Sequence, residues 1–456
     1  MTRRIFLSGA ALAAGTRFHL RAASAPLHPA KEMAVILTRI KPPKFANRSF
    51  DITRYGAKQG GKEIATDAIR TAISACSSAG GGRVVVPKGT FLTGAIHLKS
   101  NVNLHLEDGA TLLFSRDPKD FLPVVFTRFE GTECMNYSPF IYAWEQTNIA
   151  VTGNGMLDGQ ADKDHWWNMR SGAKRAELVS MGDKDVPVKD RIFGEGGGLR
   201  PNFFQPYRCT NVMIEGVSIR NSPMWELNPV LCKNVTVRNV KISSHGPNND
   251  GCDPESSTDV LIEGCEFDTG DDCIAIKSGR NRDGRRVNAA CENIIVRNCR
   301  MKDGHGGVSI GSEVSGGVRN VFMENNQMDS PHLDRALRIK TNSWRGGVLE
   351  NFYFRNNTVG EVAQGVIDID FYYSEAPRDP TGGGFTPVMN NVVVENITSE
   401  KSKYALYLRG YPEAPIKDVH VSHCTFNNVT ETDVIQNVAD IKLEDCKRNG
   451  EAMKQA

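Results

Sequence analysis

Between residues 211 and 446 one nine-residue pattern of apolar and polar positions recurs. It reads NVMIEGVSI from Asn211, NVTVRNVKI from Asn234, DVLIEGCEF from Asp259, NIIVRNCRM from Asn293 and NVFMENNQM from Asn320. It continues as NFYFRNNTV from Asn351, NVVVENITS from Asn391, DVHVSHCTF from Asp418 and a weaker DIKLEDCKR from Asp440. The second and fourth positions are apolar, the period-two signature of a strand with one buried face. The fifth is polar. The sixth is Gly, Asn, His or Asp, mostly residues that tolerate a left-handed backbone. Each copy therefore predicts a strand, a sharp bend and a second strand.

Successive copies start 23, 25, 34, 27, 31, 40, 27 and 22 residues apart, so the shortest intervals are bare coils and the longer ones carry insertions. A coil of this kind buries its apolar face only by stacking on neighbours at about 4.8 Å. A β-sandwich would not need one fixed order of polar and turn positions in every copy. The predicted fold is all-β, a single-stranded right-handed parallel β-helix, its hand following the general crossover preference.

Upstream, Thr66 and Asp67 are placed to cap a short helix with Ile69, Ile73 and Cys76 on one face, ended by Gly80, Gly81 and Gly82. A VVVPKGTF strand follows, then NVNLHLEDGATLLF from Asn101, which has the form of an early coil. Residues 47–115 are thus expected to close the open end of the solenoid, residues 211–446 to form its regular coils, and 47–446 to be one domain with a tail at 447–456. Residues 160–200 break the rhythm and read as a long loop over a cleft or its rim. Trp166, Trp167 and Trp225 are assigned to packing rather than to a ligand.

The first residues, MTRRIFLSGAALAAG, combine the pair Arg3 and Arg4 with an apolar run, and Ala23, Ser24 and Ala25 suit cleavage. Residues 1–25 therefore look like a twin-arginine export leader, which predicts a periplasmic or secreted protein. Losing them removes four arginines and no acid, taking the formal charge from +2 to −2 and excluding a basic nucleic-acid binder. No later stretch has the roughly 20 apolar residues of a membrane span. Cys265, Cys299, Cys424 and Cys446 all fill the seventh repeat position, so they read as a buried ladder rather than a disulfide framework.

The same period places the chemistry. Asp271 and His305 each lie 12 residues into their copies, and Asp250 precedes Asp271 by about one bare coil. Carboxylates crowded on neighbouring coils repel one another, which keeps one protonated near neutral pH. Arg338 and Lys340, two apart in a strand-like ALRIK, share one face and suit recognition of a carboxylate. Three acids, an imidazole and two cations on one surface suit hydrolysis between acidic sugars.

The segments Asn248-Asn249-Asp250-Gly251, Gly270-Asp271-Asp272, Gly304-His305-Gly306 and Arg338-Ile339-Lys340 resemble, in order, the four signatures of the polygalacturonase family, family 28 of the glycoside hydrolases. The resemblance spans roughly residues 47–446. It implies a right-handed parallel β-helix, a pectic polysaccharide or oligogalacturonide substrate, no cofactor or metal, and inverting hydrolysis of α-galacturonosyl linkages. Carried over by residue, Asp271 is the general acid, Asp250 and Asp272 activate water, and His305 supports the acid. Arg338 and Lys340 hold the substrate carboxylate, with Asn248 and Tyr373 as further sugar contacts. Inversion leads to an expected acid–base gap of about 6.5–9.5 Å. Asn249 stands where the family often has Thr, which bears on specificity. A monomer is expected. Three other readings stay open: an exo-galacturonosidase or rhamnogalacturonan-fragment hydrolase, a pectate lyase binding Ca²⁺ through Asp250, Asp253, Glu255, Asp271 and Asp272, and a non-catalytic carbohydrate-binding solenoid.

Overall fold

The computed structural model describes residues 29–374 and 379–454; the expected leader lies outside them. The first half of each repeat joins a 13-stranded sheet that runs from Ser49–Asp51 through Thr210–Glu215 to Val438–Glu444, and the second half joins another 13-stranded sheet. A third face is built from three strands ending at Phe204–Tyr207 and six running from Ile274–Ile276 to Val434–Gln436. Single bridges through Leu227 and Cys252 join the two groups. Neighbouring coils pair in parallel, and Val212, Val235, Val260, Ile294 and Val321 stack in one interior column. The β-helix foreseen from the repeat is present.

Each repeat position has a physical task. The sixth position is left-handed throughout, as at Asn239, Asn298 and His423. So is the first, with φ between 52° and 64°, which explains the invariant Asn or Asp. Its side chains form a ladder: Asn320 donates to Asn293 at 3.0 Å, Asn351 to Asn320 at 2.9 Å and Asn391 to Asn351 at 2.6 Å. Outward fifth positions alternate in sign, so that Arg355 pairs with both Glu324 and Glu395 at 3.0 and 2.6 Å. All eleven cysteines are free and buried.

Helix α1 (Pro29–Arg39), unforeseen, lies on the outer face of the first sheet, with Ile36 against Leu261, Ile295 and Phe322. Arg39 pairs with Asp259 at 2.6 Å. Helix α2 (Thr66–Ser78) closes the first coil with Ile69, Ile73 and Cys76 buried. Its N-cap is Ala65, without a side-chain cap, because the Thr66 hydroxyl instead accepts from the Gly94 amide at 2.6 Å. At the other end, Lys447–Arg448 pairs with Glu451–Ala452 in an antiparallel turn. No described helix is long and apolar enough to cross a membrane.

Candidate active site

The third face alternates. Ile274, Val308, Leu337, Ile367 and Leu406 share one inward register, and the residue after each shares an outward one: Ala275, Ser309, Arg338, Asp368 and Tyr407. Two steps further, Gly311, Lys340, Asp370 and Arg409 form a second outward column. Cys252 bridges to Ile274 and Glu255 to Lys277, which puts Asp253 in the first column and Lys277 in the second. Asp250, Asp271, Asp272 and His305 sit on the turns leading into these strands, where the His305 amide donates to the Asp271 carbonyl and the Gly251 amide to that of Asp272.

Asp250, Asp271 and Asp272 converge so that one carboxylate oxygen from each lies within 4.8 Å of the others. That nearest-oxygen spacing is tighter than the wide acid–base gap expected from the sequence. Adjacent coils are only about 4.8 Å apart, so carboxylates on neighbouring turns are drawn close by the strand spacing itself. Of the three, Asp271 is the most open, its side chain 20% exposed, and its Oδ1 lies 3.0 Å from His305 Nδ1. Asp272 is sealed: Lys340 Nζ donates to its Oδ2 at 2.6 Å, while Ser309 Oγ and Arg338 donate to its Oδ1 at 2.7 and 3.4 Å. Asp250 meets Lys277 Nζ at 3.4 Å.

These contacts divide the protonation states. Burial, then Asp253 and Asp271, push the Asp250 carboxyl well above the usual range, with Lys277 opposing. Burial would also raise Asp272, but Lys340, Arg338 and Lys277 outweigh it and hold that carboxylate well below the usual range. The hydrogen bond to Asp271 raises His305 above its ordinary value despite partial burial. The calcium reading fails on the same contacts. Lys340 and Arg338 already neutralise Asp272, and Glu255 faces Arg128 at 3.2 Å instead of the cleft.

A cleft of about 610 Å³ opens over Asp271, His305, Arg338, Lys340, Tyr373 and Asn248. The Tyr373 ring lies 5.7 and 5.5 Å from the Arg338 and Lys340 cationic groups. Asn248, left-handed at φ 59°, accepts from Arg200 at 2.8 Å. Asn249 turns inward, accepting from Ser244 Oγ and the Gly246 amide and donating to the Ser222 and Met224 carbonyls. It holds the turn and does not reach the cleft, so it is no specificity contact. Gly306 is small because a Cβ there would stand 2.3 Å from Ser309 Oγ of its own coil and 3.0 Å from Asp272 of the preceding one; packing within the solenoid, not a substrate, demands it.

Residues 160–200 supply the rest of the wall. They contain helix α3 (Gly172–Asp183) and a small apolar core of Leu178, Phe193 and Leu199 against Phe129, Met224 and Trp225. Arg170, Arg175 and Arg200 line the cleft beside Glu130, the tip residue of the hairpin Val125–Phe129 and Thr132–Asn136. Arg175 and Arg280 both pair with Glu130. Trp166 packs on Phe121 and Phe140, as its assignment to packing requires. Sequence reading missed Glu130, Arg170, Arg175, Arg200 and Lys277. Only Lys277 left a signal: Ile274-Ala275-Ile276-Lys277 repeats the alternation of Leu337-Arg338-Ile339-Lys340 at the same register two coils earlier.

An acidic triad on a β-helix face, a paired histidine and a cation-lined cleft define a hydrolase of glycosidic bonds. Residues 76–447 match the family model described as glycosyl hydrolases family 28, and the chain belongs to that family. It is 42% identical to a hyperthermoactive exopolygalacturonase from Thermotoga maritima of known crystal structure. That likeness has a TM-score of 0.89 and covers 93% of this chain and 97% of the other. A probable polygalacturonase of Vitis vinifera is 27% identical over 83% of this chain and 74% of its own length. An exo-poly-alpha-D-galacturonosidase of Dickeya chrysanthemi is also 27% identical, over 87% and 68%.

Proposed function

We propose that this glycoside hydrolase cleaves α-galacturonosyl linkages of pectic chains, removing galacturonate from chain ends. The reading rests on one observation: Asp271, the most open carboxyl of the triad, shares its cleft with Arg170, Arg175, Arg200, Arg338 and Lys340. So many cations suit a polyanion, and planar guanidinium forks suit sugar carboxylates. The 160–200 insertion that carries three of them walls one side of the cleft, and the 42% identical relative is an exopolygalacturonase.

In this mechanism Asp271, coupled to His305, delivers a proton to the glycosidic oxygen as the bond to the anomeric carbon breaks and its electron pair leaves with that oxygen. A water attacks the anomeric carbon from the other face and gives its proton to Asp250. Oxygens of Asp250 and Asp272 within 4.8 Å of each other can both accept from one water, since each O–H···O link spans about 2.7–2.8 Å. Asp272, held ionised by Lys340 and Arg338, orients that water, and the remaining donors of those cations take the substrate carboxylate. Asn248 and Tyr373 complete the sugar contacts. A chain read as exported would meet such polymers outside the cell.

Sizing products from polygalacturonate over time tests the chain-end reading: monomer alone from the first minutes supports it, and a descending ladder of oligomers overturns it. One competing route is a covalent intermediate with retention, for which a carboxyl separation of about 5–5.5 Å is usual. Proton NMR of the first-formed sugar separates the two, the β-anomer marking single displacement and the α-anomer retention.

A further inference from the structure

Beneath Asp250 lies a buried group of charges that the hydrolytic step does not itself use. Lys277 Nζ stands 3.4 Å from Asp250, 3.5 Å from Asp253 and 3.5 Å from Glu313, above the Trp225 ring at 4.4 Å. Glu313 has Arg280 at 3.5 Å and Arg345 at 3.8 Å as well, so its charge is met without Lys277. Among the described residues, no donor hydrogen-bonds to either oxygen of Asp253. One ammonium therefore serves two buried carboxyls. Two ionised carboxylates sharing a single cation away from water are strongly disfavoured, and one of them keeps a proton.

The surroundings decide which one. Asp250, 3% exposed, borders a small cavity continuous with Asp271, Lys340 and Tyr373, whereas Asp253 is fully buried. Charge settles on the member that water can reach. The other groups facing the pair do not reverse this. Glu226, on the preceding coil, is fully buried with neither oxygen hydrogen-bonded, and burial raises it well above the usual range, which disfavours its charged form. Asp271 and Asp272, on the next coil, both repel charge on either member, while Arg200 attracts charge on Asp250. Burial first raises both Asp250 and Asp253, and Lys277 opposes in each case; Asp253 adds to the rise of Asp250, whereas the side-chain interaction with Asp250 lowers Asp253.

We propose that Asp253 is a positioning residue that stores the proton the buried pair must share, leaving Asp250 as the carboxylate that faces the attacking water, with Lys277 as the cation that makes this division stable. This rests on Asp250 acting as the water-facing base. Asp253→Asn mimics the proton-bearing state, and Lys277→Met removes the cation.

The first test does not depend on turnover. The infrared difference spectrum between wild type and Asp253→Asn at neutral pH is expected to show one protonated-carboxyl carbonyl band lost. A band that survives in Asp253→Asn and disappears in Asp250→Asn overturns the proposal. The second test is the pH profile of kcat. Lys277→Met is expected to move the acid limb up by about one unit or more, corresponding to about tenfold at a fixed pH on that limb. Adding Asp253→Asn to Lys277→Met should bring the limb back toward wild type by removing the competing charge. A merely structural Lys277 would lower kcat with the limb unmoved and no rescue, and that result refutes the idea. If the wild type fails to hydrolyse polygalacturonate, the functional reading falls while the infrared result still decides where the proton resides.

Discussion

Asp271 is the most exposed carboxylate of the triad, and that exposure sets what its loss costs. Asp272 is fixed by three donors and Asp250 is largely buried, so neither reaches a leaving oxygen as readily. Asp271→Asn is expected to lower kcat on polygalacturonate by about 10²–10⁴, the usual worth of a general acid, with KM little changed. Reducing-sugar release measures it, and a loss below tenfold would give the proton to another group. His305 has a sign of its own. Its imidazolium is stabilised by Asp271 and its proton affinity raised from 6.5, so the contribution is full below 6.5 and lost as pH rises through the folded value. The alkaline limb of kcat should follow that loss in the wild type. In His305→Asn the limb should no longer report an imidazole, and kcat should be depressed most below the wild-type limb. An unaltered pH profile would leave His305 as a sugar contact alone. The pairing of these two residues was legible in advance because both stand 12 residues into their copies.

Within an element, the first repeat position carries the clearest thermodynamic prediction. Asn351 donates to Asn320 at 2.9 Å, accepts from Asn391 at 2.6 Å and sits at φ 64°. Asn351→Gly removes the two ladder bonds but keeps the backbone at ease. At this half-exposed site it is expected to cost roughly 1 kcal/mol. Asn351→Ala adds the left-handed strain of a Cβ and should cost roughly 2 kcal/mol. Urea unfolding of both variants checks the order, and an alanine variant no worse than glycine would remove the strain argument. The nine-residue pattern made the strands and bends legible, since both are local consequences of period two and of turn chemistry. It could not announce the ladder itself, because a recurring Asn says nothing of its partner until the coils are stacked. The wall of the cleft was less legible still. Arg170, Arg175 and Glu130 lie on aperiodic insertions, and they reach the cleft only because Leu178, Phe193 and Leu199 pack on Phe129 and Trp225. Thr66 shows the opposite failure: a good capping residue was drawn to Gly94 by tertiary contact.

At the scale of the whole chain, a solenoid's stability is close to a sum over coils and their interfaces, so its ends decide where it opens. The two ends here differ. The first coil is covered by helix α2, whose Ile69, Ile73 and Cys76 are buried against the interior. The final rung of the first sheet, Val438–Glu444, alternates only between half-buried and exposed residues, and Val438, Ile441 and Leu443 stay partly open. Among the described residues, the short pair Lys447–Arg448 and Glu451–Ala452 follows it. The apolar area removed from water on docking that rung is therefore small, at about 25 cal/mol per Å². Native-state hydrogen exchange should show amides of residues 434–452 exchanging through a low-energy local opening. Amides in the central strands Thr258–Glu263 and Cys291–Arg297 should exchange only near the global unfolding energy. Adding denaturant should leave the terminal class almost unchanged and accelerate the central class, because local opening exposes little new surface. Equal protection of the two classes would mean that the solenoid unfolds as one unit, and that the weakly buried last rung is held by something other than its own packing. The active face lies on coils three or more rungs from that end, so fraying there should leave kcat untouched at denaturant concentrations that already expose residues 434–452.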